Sequence, residues 1–234
     1  MANLKPLNAQ FVFFPQNFSL EENARADFLA EIIKTVPGKP IILPIPRDVP
    51  GDIPFMFLQQ DDEYEIQFSK NRIDITIIAD ETSDVSFLSY VAKPIIKNVF
   101  ELLQRRSIAL KDIGCVIRSA DKEDQNPNKI LNTFIGKQAF FSTSKDAENL
   151  IRGLERKTLE LNKTTVSVNQ SKTLNTGAVD TVTNSKIIIC EFDVNTFPET
   201  VKDGWKLDIV EAFIVEIEKN NKTFVEEIND VKYE

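Results

Sequence analysis

Closely spaced carboxylates are the first side chains in this sequence with the means to do chemistry. Glu191 and Asp193 stand two residues apart in an alternating pattern, so both point to one face of a strand and form a candidate acid–base pair. The alternative is that they line the solvated face of a sheet. The acidic run at 61–65 offers oxygen ligands to a divalent cation, but its Asp-Asp pair is typical of a hairpin turn and the glycine of a calcium loop is missing. We therefore predict no metal site.

Arginines form a second group with chemical potential. A guanidinium group binds carboxylates and phosphates through several hydrogen bonds, so arginines that converge make an anion pocket. Four residues are candidates if the fold brings them together: Arg72, Arg105, Arg106 and Arg118. Two of these arginines and the two paired carboxylates are the predicted ligand-binding residues: Arg72, Arg118, Glu191 and Asp193.

Residues that are missing exclude several mechanisms. The sequence has no histidine and only two cysteines, Cys115 and Cys190, so one chain supplies neither a histidine-assisted catalytic triad nor a zinc site of the usual Cys/His type. Its seven glycines form no phosphate-binding loop, and no Gly-x-Ser-x-Gly turn is present. We predict no catalytic residue and no cofactor, and we favour a protein that is not an enzyme.

The distribution of charge narrows the classes of partner. The formal net charge is −8, and the segment from Glu191 to Glu234 alone holds twelve acidic residues and five lysines. An acidic surface repels a phosphate backbone, so we predict no nucleic-acid binding. The acidic segment is either a solvated helix face or a surface for a basic partner. No apolar run approaches the ~20 residues of a membrane-spanning helix and no signal peptide opens the sequence, so we expect a cytoplasmic protein.

Phenylalanines are denser than one core face requires. Phe11 and Phe13 alternate in an early strand pattern, and Phe140 and Phe141 stand together in the middle of the sequence. Core packing is one interpretation. The other is an apolar groove for a protein partner or a second copy, and it gives the predicted partner-binding residues: Phe11, Phe13, Phe140 and Phe141.

One order of local patterns runs through the sequence twice. A strand, a helix, three strands and a helix follow one another from Asn8 to Arg106, and the same order is repeated from Leu110 to Asn221. Strict alternation in the strands is typical of an antiparallel sheet with one buried face. We predict an α+β fold made of a duplicated β-α-β-β-β-α unit, with a curved, mainly antiparallel sheet and long helices on one face. The two halves are 1–120 and 121–234, packed as one unit.

Several local patterns give more specific expectations. The proline-rich segment 37–54 predicts an extended connection, with Ile41 and Ile42 lying against the body of the protein. Residues 19–22 have the spacing of a helix capping box. The helical pattern at 85–106 contains Pro94, which must kink or restart the helix. The small, polar residues 175–185 predict a mobile loop.

Short motifs along most of the sequence resemble a sporadically distributed family of uncharacterised bacterial proteins of similar length. The matching segments are the proline-rich lead-in, the run at 57–61, the segment 66–73, the Ile113-Gly114 pair with Arg118, and 224–228 after the closing helix. The resemblance implies a duplicated α+β fold without known enzymatic activity. The strand-then-helix order also resembles the protein-export chaperone SecB, whose sheet grooves hold unfolded chains.

Two hypotheses follow. The leading one is a non-enzymatic cytoplasmic protein that acts through a protein partner or self-association, as a regulator, an adaptor, a chaperone-like protein or part of a bacterial or phage conflict system. The competing one is a protein that binds a small molecule or nucleotide derivative, or a carboxylate-dependent enzyme. A deep pocket lined by the predicted ligand-binding residues favours the second, whereas an apolar groove or a large symmetric contact favours the first.

Overall fold

Alternation of apolar and polar residues sets the strands of this protein. In the segment 73–78 the three isoleucines at odd positions are buried while Asp74 and Thr76 are partly exposed. The computed structural model describes residues 3–16, 18, 22–44, 50–80, 82–84, 86–121, 128, 148–180, 185–198, 201 and 204–230. Its strands are β1 (Lys5–Pro15), β2 (Lys39–Ile42), β3 (Met56–Gln60), β4 (Tyr64–Phe68), β5 (Ile73–Ile78), β6 (Leu110–Asp121), β7 (Leu150–Leu161), β8 (Thr164–Asp180) and β9 (Ser185–Thr196).

These strands form one antiparallel sheet of nine strands, in the order β2-β3-β4-β5-β1-β6-β9-β8-β7. The centre of the sheet is the pair β1–β6, in which Phe11 lies opposite Cys115. Because β1 and β6 are far apart in sequence, this long-range pairing joins the early strands to the late ones. With three helices in the described part of the chain, the α+β class is confirmed.

The helices are α1 (Glu22–Ile32), α2 (Lys93–Arg105) and α3 (Leu207–Asn229), and a π-helical turn, Leu88–Ala92, leads directly into α2. Pro94 lies in the first turn of α2, directly after the π-helical turn, so the helical hydrogen-bonding pattern changes next to the proline while the helix itself continues. Each helix inserts a phenylalanine ring against a ring of the sheet. The pairs are Phe28 with Phe68 at 5.5 Å, Phe100 with Phe13 at 6.2 Å, and Phe224 with Phe192 at 6.2 Å.

Two local predictions are wrong. Ile41 and Ile42 do not lie against the body: β2 is at the edge of the sheet, and their exposed fractions are 43% and 45%. Residues 175–180 are not a loop, because β8 continues to Asp180 and pairs with β9 as far as Asp180–Ser185. A break in register between Asn175 and Ala178 absorbs the small, polar residues that suggested a loop.

Some predictions fall outside the described residues. They concern most of the capping box at 19–22 and the two phenylalanines at 140 and 141. Every helix in the described part of the chain is too short or too polar to span a lipid bilayer.

Candidate functional site

The sheet face that points away from the apolar core carries polar residues in rows. The strand registers place five of them in line across the sheet: Arg152, Thr173, Glu191, Arg118 and Asn8. Side chains in one such row are direct cross-strand neighbours, about 5 Å apart from strand to strand. The polar face therefore brings together groups from four late strands and from β1.

Arg118 lies at the centre of this row. Its Nε donates a hydrogen bond to Oε2 of Glu191 at 2.9 Å, and an Nη1–Oδ1 distance of 3.4 Å links it to Asn8. The arginine and the glutamate are each about one-third exposed. An ion pair at this exposure contributes little to stability, about 0–1 kcal/mol, but it fixes the direction of both side chains.

Asp193 lies one row further along, between Ser171 and Val116. It accepts a hydrogen bond of 2.5 Å from Nδ2 of Asn195. Burial raises the pKa of the Asp193 carboxyl, and the nearby charge of Glu191 raises it further against the opposing effect of two arginines. The structure thus brings together three of the predicted ligand-binding residues: Arg118, Glu191 and Asp193.

Arg72 lies elsewhere on the sheet. Its Nη2 is 2.6 Å from Oδ1 of Asp74, and that oxygen also accepts a hydrogen bond from Gln10. Arg72 precedes Ile73, which pairs with Phe13, whereas Arg118 pairs with Asn8 on the same strand. Five residues along a strand span about 17 Å. Arg72 therefore does not share a pocket with Arg118.

The other two candidate arginines are also separate from Arg118. Arg105 and Arg106 both pair with Glu31 of α1, at 3.6 and 2.6 Å. They line an open surface depression of about 490 Å³ between α1 and α2, together with Asp27 and Lys34. Since Glu31 pairs with both guanidinium groups and Asp27 adds a second carboxylate, this depression is an internal ion-pair cluster rather than a ready anion pocket.

A second depression of about 470 Å³ lies at the end of β1. It is lined by Phe14, Phe18, two lysines and Asp112. Burial raises the pKa of Asp112, and its Oδ1 atom has no hydrogen-bond partner in the described structure. None of the predicted ligand-binding residues lines this depression.

The predicted partner-binding phenylalanines divide in a different way. Phe11 and Phe13 belong to the core and are almost fully buried, so their side chains do not form a surface groove. Core packing is the correct interpretation for these two residues. Phe140 and Phe141 lie outside the described residues.

The acidic run at 61–65 forms the predicted hairpin turn between β3 and β4, and Asp61 pairs with Lys39 at 2.9 Å. In the parts of the chain that the structure describes, no three histidine, cysteine, aspartate or glutamate residues are placed to hold a metal ion.

The outer edge of β7 is the feature that sequence reasoning missed. β7 is twelve residues long and pairs with β8 on one side, while its other side has no partner strand among the described residues. The carbonyl of Asn149, just before β7, accepts a hydrogen bond from the N–H of Thr176 at 2.9 Å. Because hydrogen-bonding direction alternates along a strand, odd-numbered residues of β7 face β8 and even-numbered residues face outward. The outward positions are Leu150, Arg152, Leu154, Arg156, Thr158 and Glu160.

The side chains at this edge alternate between apolar and cationic. Leu150 and Leu154 are 60% and 69% exposed. Arg152 donates from Nε to the Ser171 hydroxyl at 3.1 Å, and the Arg156 guanidinium lies 4.6 Å from the centre of the Phe197 ring. Sequence reasoning started this strand at Leu154, four residues late. The signal it missed is the alternation of Leu150, Arg152, Leu154 and Arg156 in a stretch without proline.

The sequence matches no protein-family model and no curated protein. The resemblance to the uncharacterised bacterial family and to SecB therefore stays a prediction.

Proposed function

We propose that this protein binds other polypeptides by adding an extended segment as a further strand at the β7 edge. The observation that carries the proposal is the row of six outward backbone positions on β7, each with an unpaired N–H and C=O in the described structure. A strand edge of this kind is a template for pairing with another chain, and main-chain hydrogen bonds supply affinity in such complexes.

The side chains beside this edge define what an added strand looks like. On the polar face, Leu150 and Leu154 alternate with Arg152 and Arg156. A cross-strand neighbour that is apolar opposite leucine and acidic opposite arginine is favoured by about 0.2–1 kcal/mol per pair. We therefore expect a segment in which every second residue faces these side chains, and in which those residues alternate between apolar and acidic.

This proposal retains the leading hypothesis from the sequence: a non-enzymatic, cytoplasmic protein that acts through a protein partner or through self-association. Regulator, adaptor and chaperone-like roles all use this mode of binding. The candidate partner surface is the edge of β7 and the polar face beside it, not the phenylalanines at 11 and 13.

Leu154→Pro is the variant that tests strand addition. The Leu154 N–H points outward, so proline removes a donor for an added strand without removing a hydrogen bond to β8. The probe is a twelve-residue synthetic peptide with the repeat Leu-Thr-Glu-Thr, in which leucine and glutamate alternate along one face of the strand, and it is labelled for fluorescence polarisation. We expect the unaltered protein to bind it and Leu154→Pro to bind it at least tenfold more weakly.

Leu154→Ala is the matched control, because it removes the leucine side chain but keeps the N–H. We expect a smaller loss of peptide binding for this variant than for the proline variant. Hydrogen–deuterium exchange on the complex should show new protection at the even-numbered amides of β7. Equal peptide binding by the proline variant and the unaltered protein would overturn the proposal.

Binding of a small molecule that carries both an anionic group and hydrogen-bond donors is a second candidate function, favoured by the gathering of Arg118, Glu191 and Asp193 and by Arg152 in the same row. A nucleotide derivative has both kinds of group: phosphate oxygens for the arginines and hydroxyl groups for the carboxylates. Thermal unfolding with and without ATP tests it: Arg118→Ala should abolish any stabilisation, and Arg72→Ala, remote on the sheet, should preserve it. An unchanged response in Arg118→Ala excludes this cluster as the site.

We also propose that the chain is a tandem duplication with its helices on one face of the sheet. The strand order is β3-β4-β5-β1 on one side of the centre and β7-β8-β9-β6 on the other, and a helix follows each group in sequence. The phenylalanine pairs of the three helices involve sheet residues of a single face, which supports the same arrangement. On this proposal the units meet between α2 and β6, and not at residue 120.

A further inference from the structure

We infer that the segment added at the β7 edge is β7 of a second copy of this chain, antiparallel and with Arg156 opposite Arg156. This inference rests on the proposed function and names its partner. It joins two nine-stranded sheets into one continuous sheet through a two-fold axis perpendicular to the sheet.

The backbone of β7 is compatible with such self-pairing. A two-fold axis perpendicular to the sheet keeps each residue on its own face in both copies. Outward-facing positions of one copy must then lie opposite outward-facing positions of the other. The even-numbered residues of β7 meet this condition in every register that pairs even numbers with even numbers. Charge decides among these registers.

The charges of β7 favour the register centred on Arg156. In this register Arg152 lies opposite Glu160 of the second copy and Glu155 lies opposite Lys157 of the second copy. The two-fold axis makes each pair occur twice, which gives four pairs of opposite charge. Opposite charges in direct cross-strand positions stabilise a sheet and like charges destabilise it.

The neighbouring registers lack these pairs. A register centred on Glu155 sets that carboxylate against itself and brings no opposite charges together. A register centred on Leu154 sets Arg152 against Arg156 of the second copy, twice. A register centred on Lys157 sets that lysine against itself, and one centred on Thr158 brings together only Arg156 and Glu160, twice. With four pairs of opposite charge, the register centred on Arg156 is the best match of this strand to itself.

The one like-charge contact in this register is relieved by the position of the arginine side chain. The Arg156 guanidinium lies over Phe197, which follows β9 and pairs with Ser167 of β8. Each guanidinium is therefore turned inward from the edge, by up to about two strand spacings of ~4.8 Å. The two positive charges point away from each other in the assembled pair.

Apolar positions are compatible with the same register. Ile151 lies opposite Leu161 of the second copy on the core side of the sheet, where Leu161 is already buried within its own copy. On the polar face, the exposed Leu154 side chain lies opposite Thr158 of the second copy. Self-pairing thus covers one of the two most exposed leucines of the strand.

Cysteine cross-linking tests the register directly. Directly opposite residues of a hydrogen-bonded pair have Cα atoms about 5.5 Å apart, within the range of a disulfide, whereas residues offset by four positions are about 13 Å apart. We expect Arg156→Cys to form a disulfide-linked dimer under mild oxidation. Leu154→Cys and Thr158→Cys should not do so singly, but the double variant should. The native Cys115 and Cys190 are buried, so they give little background.

Charge reversal provides a second test that leaves Arg156 in place. Glu155→Lys replaces two attractive pairs with two repulsive ones, and we expect a roughly tenfold weaker dimer by sedimentation equilibrium. Adding Lys157→Glu restores the opposite charges and should restore the affinity. Failure of this rescue overturns the register.

The results separate this inference from the proposed function. A monomer by light scattering that forms no cross-link in any cysteine variant, but still binds the leucine–glutamate peptide through an edge sensitive to Leu154→Pro, overturns self-pairing and leaves strand addition standing. If the protein neither forms a cross-linked dimer nor binds the peptide, both self-pairing and strand addition are overturned. Equal cross-linking of all the single variants contradicts a defined register.

Discussion

The two edges of the nine-stranded sheet present very different backbones to solvent. At the β2 edge the Leu43 N–H bonds the carbonyl of Phe55 at 2.9 Å, so odd residues face β3 and the outward positions are Pro40 and Ile42. Because proline has no N–H group, this edge offers one unpaired donor, that of Ile42. The β7 edge offers six. Both edges expose apolar side chains, but only β7 offers a continuous backbone ladder.

This difference shows that exposed apolar residues do not by themselves define a pairing edge. Ile41 and Ile42 are 43% and 45% exposed, yet they stand on a four-residue strand with a proline at an outward position. Short strands, lysine and proline are the devices that protect a sheet edge from association. β2 has all three devices: it is four residues long, it contains Pro40, and it begins at Lys39, whose side chain pairs with Asp61. β7 has neither the short length nor the proline.

The largest effect is expected from proline at the two kinds of position in β7. Glu155→Pro removes an N–H that bonds β8, and we expect a loss of about 2–3 kcal/mol in the free energy of unfolding. Leu154→Pro removes an outward N–H and should cost less than about 1 kcal/mol. Urea unfolding of the two variants measures the difference. Similar losses for both would contradict the alternation assigned to this strand.

Tyr64→Phe tests how the β2 edge is held in place. The Tyr64 hydroxyl donates a hydrogen bond to the carbonyl of Pro37, two residues before β2, and its loss should cost about 1 kcal/mol at neutral pH. Burial, together with a smaller effect of the Glu63 charge, raises the pKa of Tyr64 to about 12. The contribution is therefore present below the ordinary pKa of 10 and is lost as pH rises through about 12.

Unfolding measured from pH 9 to 12 should show a steeper decline in the unaltered protein than in Tyr64→Phe. Hydrogen exchange at β7 should be the same in both proteins, because Tyr64 holds the opposite edge. If the stability of the two proteins falls in parallel from pH 9 to pH 12, the titration of the Tyr64 hydroxyl is not linked to folding.

Pro40→Ala should make the β2 edge resemble the β7 edge. The substitution restores an outward N–H beside two exposed isoleucines, so we expect more concentration-dependent association, seen by light scattering. It also gives the unfolded chain more freedom, which lowers stability by about 0.4–1 kcal/mol. Ile42→Ala, which leaves Pro40 in place, is the matched control and should associate less. Association of Pro40→Ala no greater than that of the unaltered protein would mean that the proline does not guard this edge.

The smallest effect is expected at Asp193, in the row that also contains Leu154. The raised pKa of this carboxyl means that its contribution to stability is present below the ordinary pKa of 3.8 and is lost as pH rises through the folded-state pKa. Asp193→Asn removes this titration. The stability of the unaltered protein relative to Asp193→Asn should therefore fall from pH 3 to pH 7, as measured by urea unfolding at fixed pH. If the difference in the free energy of unfolding between the two proteins stays constant from pH 3 to pH 7, the titration of Asp193 is not linked to folding.

Much of the secondary structure could be predicted from local patterns. The alternating isoleucines of β5 and the apolar stripe of α3 gave the correct kinds of element, because alternation and helical periodicity express burial of one face directly. The predicted end of α3 was wrong: the segment 224–228, expected after the closing helix, is part of it. The prediction failed where burial does not decide the structure. Residues 175–180 are small and polar, but they extend β8 because β9 provides backbone partners.

The candidate site could be predicted only in part, for a similar reason. The spacing of Glu191 and Asp193 predicted a shared face, and the structure places both on the polar face of β9. No local pattern indicated that Arg118, 73 residues away, bonds Glu191, or that Arg72 lies about 17 Å along the sheet with Asp74 as its partner. Strand order and register set these distances.

The sequence by itself determined which face of the regular strands and helices is buried, where most strands and helices run, and which catalytic groups one chain lacks. These properties depend on residue type and short-range spacing. Only the tertiary structure decided that β1 pairs with β6, that β2 and β7 are the edges of the described sheet, and that six outward backbone positions of β7 have no partner strand among the described residues. The physical reason is that every backbone carries the same hydrogen-bonding groups, so the choice of partner strand depends on long-range packing and not on the local sequence.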